Sequence, residues 1–278
     1  MVTLSAVIVA HNEEKNIRGC LESLYFADEI VVVLDKCTDD TRKIVEEFTD
    51  KIVEGSWNLE GARRNVAHVK ATGDLVLEID ADERISEGLA KEIIAVKELK
   101  GLDPCGFVAP IDNYIGDRCV KYGWMRTLGV IGRQTMAHRG LKLYHEDKEV
   151  HPTCEFKGEI RFLKNPIIHL VDENIFDLIA RFNRYTTWKA NDMIFTGKIS
   201  GGGVFKGILN LKIRFIKSFF LKRGYREGML GIILAILAGL YPTISYIKAM
   251  EKLKLSNADG PNSSSLDSGK KLRKNENR

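Results

Sequence analysis

The sequence predicts an α/β fold with a mostly parallel sheet flanked by helices, and three observations predict it. Short apolar runs alternate with amphipathic helical patterns over the first 110 residues. Their lengths are those of βα units, which bury a parallel sheet on both faces. The polar clusters of this region fall at the carboxyl ends of the predicted strands, where open α/β sheets bind their ligands.

Leu4 to Ala10 is a continuous apolar run, expected as a buried strand. Asn12 is expected to cap the following helix, with Glu13 and Glu14 complementing the dipole in its first turn. Ile17, Cys20, Leu21 and Leu24 recur at i, i+3, i+4 and i+7, one face of a helix. Glu29 to Leu34, with three successive valines, is a second strand. Thr38 and Asp39 are expected to cap a helix bearing Ile44, Val45 and Phe48, and Lys51 to Val53 is a short third strand. Leu59 to Lys70 reads as a helix with Ala62, Val66 and Val69 on one face. Gly73 ends it, Leu75 to Ile79 is a fourth strand, and Ser86 opens a helix with Leu89, Ile93 and Val96 inward. From Gly106 to about Leu170 the pattern is less regular, with strands expected at Phe107 to Ile111, Leu141 to Tyr144 and Ile160 to Leu163. Helical character returns near Ile175 and runs through Tyr185, and Gly201-Gly202-Gly203 reads as a hinge.

Asp80-Ala81-Asp82-Glu83 closes the fourth strand. Side chains at i and i+2 share a strand face, so Asp80 and Asp82 can reach one divalent ion. Mg²⁺ takes oxygen ligands and keeps waters and substrate phosphates, so a diphosphate-bearing substrate fits. A solvated acidic turn is the bland alternative. Two further clusters, His11-Asn12-Glu13-Glu14 and Asp35-Lys36-Cys37-Thr38-Asp39, end the first and second strands. That shared placement is the argument for a site.

Hydrophobic residues at 44% and charged residues at 29% are the proportions of a globular chain with a sizeable core. The net charge of +4 is unevenly placed. Seven basic residues, Lys206, Lys212, Arg214, Lys217, Lys222, Arg223 and Arg226, stand against one acid between Val204 and Glu227. Nucleic acid or an anionic membrane surface would suit such a block. Leu209, Ile213, Ile216 and Phe220 lie opposite Lys212, Arg214 and Lys217, an interfacial helix pattern. Gly228 to Ile247 then runs for twenty residues without a charge, long enough for a bilayer core. Basic residues flank it on both sides, so the positive-inside rule favours neither orientation. A peripheral or monotopic seat on a membrane surface is expected, and no nucleic acid partner. The alternative is a helical hairpin packed on the catalytic domain or on a second subunit of a homo-oligomer. The five cysteines lack CxxC spacing and are odd in number, so neither a zinc site nor a disulfide framework is expected. No signal peptide pattern is read at the N-terminus.

Four elements in order, Ile8 to Glu14, Val32 to Asp35 with Thr38 to Thr41, Gly61-Ala62-Arg63-Arg64-Asn65 and Ile79 to Glu83, resemble the family 2 glycosyltransferases. The likeness covers roughly the first 100 residues and is nearest to the branch that glycosylates the lipopolysaccharide inner core. It implies a GT-A (Rossmann-like) fold, a nucleotide-sugar donor, with UDP-sugar the first choice, and inversion at the anomeric carbon. It implies that Asp35 meets the nucleotide base, with Ala10, Asn12 and Glu14 near the nucleoside and Arg64 near the nucleotide. It makes Asp82 the metal ligand, for Mg²⁺ or Mn²⁺, with Asp80 beside the ribose or the metal. Lys36 and Cys37 depart from the branch, which has small residues after the Asp.

An inverting transfer needs a carboxylate base within reach of the acceptor hydroxyl. Leu143 to Pro152 is the densest ionisable stretch in the irregular middle. The branch often reads Val-His-Glu here, whereas this chain has Val150-His151-Pro152. Glu149 is the expected base, with Asp147 and Glu146 behind it, and His169 is expected to be structural. The organisation expected is a catalytic domain over 1–170, divided into a nucleotide-sugar half (about 1–110) and an acceptor half (about 106–170). A helical membrane-associating region would follow over 171–254, and a disordered tail over 255–278. Two rival readings are a nucleotidyltransferase, opposed by the absence of glycine from the loop after the first strand, and a non-catalytic membrane adaptor that binds a sugar nucleotide or a partner protein.

Overall fold

The structure is a computed structural model describing residues 2–125, 132–146, 152–197, 199 and 203–258. The first half contains β1 (Leu4–Ala10), α1 (Ile17–Glu22), β2 (Glu29–Asp35), α2 (Thr41–Val45), β3 (Ile52–Gly55), α3 (Glu60–Lys70), β4 (Leu75–Asp80), β5 (Glu83–Ile85) and α4 (Glu87–Glu98). There follow β6 (Cys105–Ala109), β7 (Ile111–Ile115), β8 (Arg118–Cys119), β9 (Arg133–His138), β10 (Lys142–Tyr144), β11 (Cys154–Phe156), β12 (Glu159–Phe162) and β13 (Ile167–Asp172). The chain then becomes helical, with α5 (Ile175–Phe195), α6 (Gly203–Ile216) and α7 (Gly228–Ala258).

The described residues form two compact units. One holds the chain up to Lys121 and from Met125 to Ile175; the other holds Tyr122–Trp124 and the chain from Phe176. In the first, seven strands run in the order β12-β6-β9-β4-β1-β2-β3. β3, β2, β1 and β4 are mutually parallel, β9 runs antiparallel between β4 and β6, and β12 is parallel to β6. This is the mostly parallel α/β layout expected. A second sheet, β5-β13-β7-β8, and the β10–β11 pair complete the unit. Alternate residues of β1 serve opposite faces: Leu4, Ala6, Ile8 and Ala10 join the larger core cluster, and Val7 joins a second one with Val31, Val33, Ala67 and Val76.

Several boundaries differ from the sequence reading. Asn12 does not cap a helix: α1 begins at Ile17, and Asn12 sits in the left-handed region at φ 55°. Its Oδ1 accepts from the Thr38 backbone N–H at 2.8 Å, binding the two strand-end loops instead. Glu13 and Glu14 therefore lie in that loop rather than in a helical turn. α2 starts at Thr41, where Asp39 accepts from the Thr41 N–H and hydroxyl and Asp40 flanks the helix. In α3 the buried residues are Glu60, Gly61 and Ala67, while Val69 is 81% exposed. Ala67 enters the second core cluster with Val66 packed against it, while Arg63 and Arg64 pair with buried acids. Ser86 caps α4 as expected, accepting from the Leu89 N–H, with Leu89, Ile93 and Val96 inward. The five cysteines, all described, form no disulfide.

In the second unit α6 continues into a π-helical turn, Lys217–Leu221, and then packs along α7. Gly239 permits the approach, since a Cβ there would lie 2.9 Å from the Leu211 carbonyl oxygen. Lys248 of α7 donates to Asn183 O and Oδ1, Thr186 Oγ1 and Thr187 Oγ1 of α5, all within 2.9 Å. The uncharged run Gly228 to Ile247 lies inside α7, whose helix continues to Ala258. By length and composition the helix over Gly224–Leu255 could cross a bilayer.

Candidate active site

The carboxyl ends of β1 and β2 are laced together. His11 Nδ1 lies 2.5 Å from Asp35 O, Glu13 N–H donates to Thr41 Oγ1 at 2.7 Å, and Glu14 N–H donates to Asp39 Oδ2 at 3.1 Å. Glu14 Oε2 in return accepts from the Asp40 N–H at 3.2 Å. Lys36, like Asn12, is left-handed at φ 55°, so two non-glycine residues hold a costly backbone shape at adjacent strand ends. The buried Ala10 ends β1 beside them, its carbonyl oxygen accepting from Cys37 Sγ at 3.5 Å.

Asp35 is buried, and its carboxylate accepts from Arg63 Nη1 at 2.7 Å and from the Trp57 N–H at 3.0 Å. Arg64, next on α3, points the other way. It bonds Glu60 Oε1 at 2.7 Å, Glu78 Oε1 at 2.5 Å and Asp80 Oδ1 at 3.1 Å. Asp80 Oδ2 accepts from Arg133 Nη1 at 2.6 Å, so arginines engage both of its oxygens. Burial alone would raise the Asp80 pKa, but Arg64 and Arg133 outweigh it and hold the carboxyl well below the usual range.

Beneath Asp80, the buried Glu78 carboxylate accepts from Lys142 Nζ at 2.8 Å and from the Tyr144 hydroxyl at 2.7 Å, and pairs with His68 Nε2 at 2.8 Å. Burial pushes its pKa up, and Lys142 and Arg64 reverse this to well below normal. Glu83 pairs with Arg133 rather than with Arg63 or Arg64. Its burial outweighs that arginine and lifts its pKa to about 7.

Asp82 takes a different partner from Asp80. β5 and β13 pair antiparallel with His169 opposite Glu83, and His169 Nε2 lies 3.3 Å from Asp82 Oδ2. Asn113 Oδ1, 2.9 Å from His169 Nδ1, fixes the ring from behind. Burial would lower the His169 pKa, but the Asp82 carboxylate raises it. Among the described residues no three His, Cys, Asp or Glu side chains converge as a metal cluster. The donor set Asp82 and His169 nevertheless suits a divalent ion that completes its shell with water and phosphate oxygens.

The sequence reading named Asp35, Arg64, Asp80 and Asp82. It left out Arg133, Glu78, Lys142 and Tyr144, and set His169 aside as structural. Arg133 lies 53 residues from Asp80 and His169 lies 87 from Asp82, separations that no local motif displays. The buried acid in Leu75-Val76-Leu77-Glu78-Ile79 was the one available signal, since buried charges require partners. Asp147 and Glu149, expected at the acceptor, lie outside the described residues.

An open α/β sheet with acids and arginines gathered at the carboxyl ends of its parallel strands defines a Rossmann-like α/β enzyme. The chain belongs to glycosyl transferase family 2, whose model matches residues 5–143. It is therefore a glycosyltransferase. It is 25% identical over 262 residues to the lipopolysaccharide core biosynthesis glycosyltransferase LpsC of Rhizobium meliloti, covering 90% of this chain and 92% of that one. An uncharacterized glycosyltransferase of Rickettsia typhi is 25% identical over 255 residues, covering 85% of this chain and 83% of its own. Among solved structures, Staphylococcus aureus TarS 1-349 in complex with UDP-GlcNAc aligns over 93% of this chain and 92% of its own, at 18% identity and a TM-score of 0.46.

Proposed function

We propose that this glycosyltransferase moves a sugar, with inversion, from a nucleoside diphosphate donor, UDP-sugar in the first instance, to a lipid-linked or lipopolysaccharide-core acceptor. The observation that carries the reading is the convergence of Asp35, Asp80 and Asp82 at the ends of β2 and β4, with β1 between those strands and Arg63, Arg64 and Arg133 among the carboxylates. Asp35 receives the nucleotide base, and Ala10, Asn12 and Glu14 line the nucleoside side. Asp80, held by two arginines, serves the ribose, and Arg64 lowers the cost of bringing a diphosphate to this acidic site.

Asp82, with His169, would hold Mg²⁺ or Mn²⁺. Bound there, the ion supplies Lewis-acid stabilisation of the departing diphosphate. A carboxylate of the acidic stretch, Glu149 with Asp147 as the second candidate, takes the proton of the acceptor hydroxyl. The acceptor oxygen forms its bond to the anomeric carbon as the bond to the diphosphate breaks, and the electron pair leaves on the β-phosphate oxygen.

The name and near-complete coverage of LpsC support a lipopolysaccharide-core acceptor, and the second unit supports work at the cytoplasmic face of the inner membrane. Leu209, Ile213, Ile216 and Phe220 form a stripe about half exposed, with Lys212 and Lys217 beside it. An apolar stripe with lysines at its borders suits burial at a headgroup boundary. The polar anchoring of Lys248 and Lys252 on α5 supports a monotopic α7 rather than a lone span. The catalytic domain then extends through β13 to about Ile175, and the membrane-associating region follows it to the end of α7 at Ala258, beyond the start expected for the tail at Leu255.

A thermal-shift screen of nucleotide sugars with and without Mn²⁺ or Mg²⁺ tests the reading, because specific ligands stabilise the folded state by mass action. A metal-dependent rise with one donor is expected. No response to any nucleotide sugar would overturn it, and binding without hydrolysis or transfer from any of them would favour the adaptor.

A further inference from the structure

Three successive residues of α3 serve three different parts of the first unit. Arg63 holds Asp35 and Arg64 holds Asp80, the two carboxylates assigned to the donor. Asn65 turns instead to the segment after β10. Its Nδ2 donates to Tyr144 O at 2.9 Å and its Oδ1 accepts from the Tyr144 N–H at 2.9 Å, the two-way pair that a neighbouring strand would make. The same Nδ2 reaches Glu146 Oε1 at 3.0 Å.

The segment is fixed from other sides as well. A Cβ on Gly61, one helical turn before Asn65, would lie 2.3 Å from His145 O, so only glycine admits this approach. Lys142 Nζ and the Tyr144 hydroxyl are both anchored on the buried Glu78. Glu146 itself is exposed, its carboxylate steered by an amide whose backbone is that of the donor-holding helix.

We propose that Asn65 is a positioning residue that sets Glu146 at a fixed place relative to Asp35 and Asp80, and that Glu146 binds the acceptor hydroxyl during transfer. The inference rests on the glycosyl-transfer reading above. An amide is required at position 65 because it must donate to a carbonyl and a carboxylate and accept from an N–H. Asp would keep the acceptor role but turn the donor against Tyr144 O and Glu146. An error of about 1 Å in such positioning can cost on the order of 10²-fold in rate.

The test uses the full chain as wild type, Asn65→Asp, Glu146→Gln and the double variant. UDP affinity with Mn²⁺ is read by calorimetry, and UDP release is read with the donor that the screen identifies. Membranes from a strain deleted for this chain supply the unmodified acceptor. Both single variants are expected to bind UDP within about threefold of wild type and to lose at least tenfold in membrane-stimulated turnover. The double variant should be no worse than the poorer single one, since the two act as a unit. Independent, multiplicative losses, or unchanged turnover in Glu146→Gln, would overturn the proposal. Asn65→Asp could simply loosen the fold, and Glu146→Gln, at an exposed position, keeps the proposal falsifiable in that event. A wild-type chain that binds no nucleoside diphosphate and releases none from any nucleotide sugar would instead overturn the nucleotide-sugar reading, and this inference with it.

Discussion

Arg133 Nη1 donates to Asp80 Oδ2 at 2.6 Å across 53 residues of chain, and the other end of the same guanidinium meets Glu83. β9 thus supplies the counter-ion for the strand-end acids. Removing one partner of a buried ion pair leaves charge without compensation, typically costing about 3–5 kcal/mol. Arg133→Met should therefore destabilise the fold by about that much in urea unfolding. A loss under about 1 kcal/mol would mean that Asp80 and Glu83 find other partners or take up protons.

Asp82→Asn should abolish the metal dependence of UDP binding while leaving the unfolding transition near wild type. It keeps the shape of the side chain but removes the charge that a hard cation requires. Full turnover in EDTA, or undiminished turnover in the variant, would exclude the metal role.

Glu149→Gln should reduce transfer by a factor on the order of 10²–10⁴, the usual loss with a general base. Donor affinity should stay near normal. Normal turnover in Glu149→Gln together with loss in Asp147→Asn would move the base to Asp147.

High salt should release only part of the protein from membranes. Each Lys or Arg near an anionic surface contributes about 1 kcal/mol that salt screens, whereas apolar burial on α6 resists it. Replacing Ile213 and Ile216 together by Glu should make the salt wash complete, and deleting residues after Gly203 should release the protein without salt. A protease-accessible tag at Arg278 on the far side of the membrane would demonstrate a span and refute the monotopic seat.

Acid should weaken the fold through Glu29. Burial raises its pKa, but Lys51, the Ser5 hydroxyl and both donors of Thr72 outweigh this and bring it to about 2, against 4.5 for an ordinary Glu. A depressed carboxyl contributes stability that is complete above its unfolded pKa and is lost as pH falls from about 4.5 toward 2. Glu29→Gln should cost about 1.5–3 kcal/mol at pH 7, as for hydrogen bonds to a charged group. The gap between variant and wild type should narrow as pH falls below about 4.5 and close toward pH 2. A gap independent of pH would assign the loss to packing.

The sequence by itself determined the parallel core of the fold and the acids at its strand ends. Runs such as Leu4 to Ala10 and Leu75 to Ile79 can only be buried, and burial on both faces requires a parallel sheet between helices. The strand-end places of Asp35 and Asp80 were legible because each directly follows such a run, with Asp82 two residues further on. Asn12 misled because its residue type favours both helix caps and left-handed turns, and a contact with Thr38 decided between them. Val69 misled because the face turned inward carries Ala67 with Val66 beside it, and Val69 lies off that face.

Only the tertiary structure decided which charge meets which. Arg133 reaches Asp80 because β9 inserts antiparallel beside β4, and His169 reaches Asp82 because β13 pairs with β5. Sheet order assigns these partners, and sheet order arises from contacts between residues far apart in the chain. Hydrophobic periodicity reports only whether a side chain is buried, whereas an ion pair depends on two positions that no local pattern links.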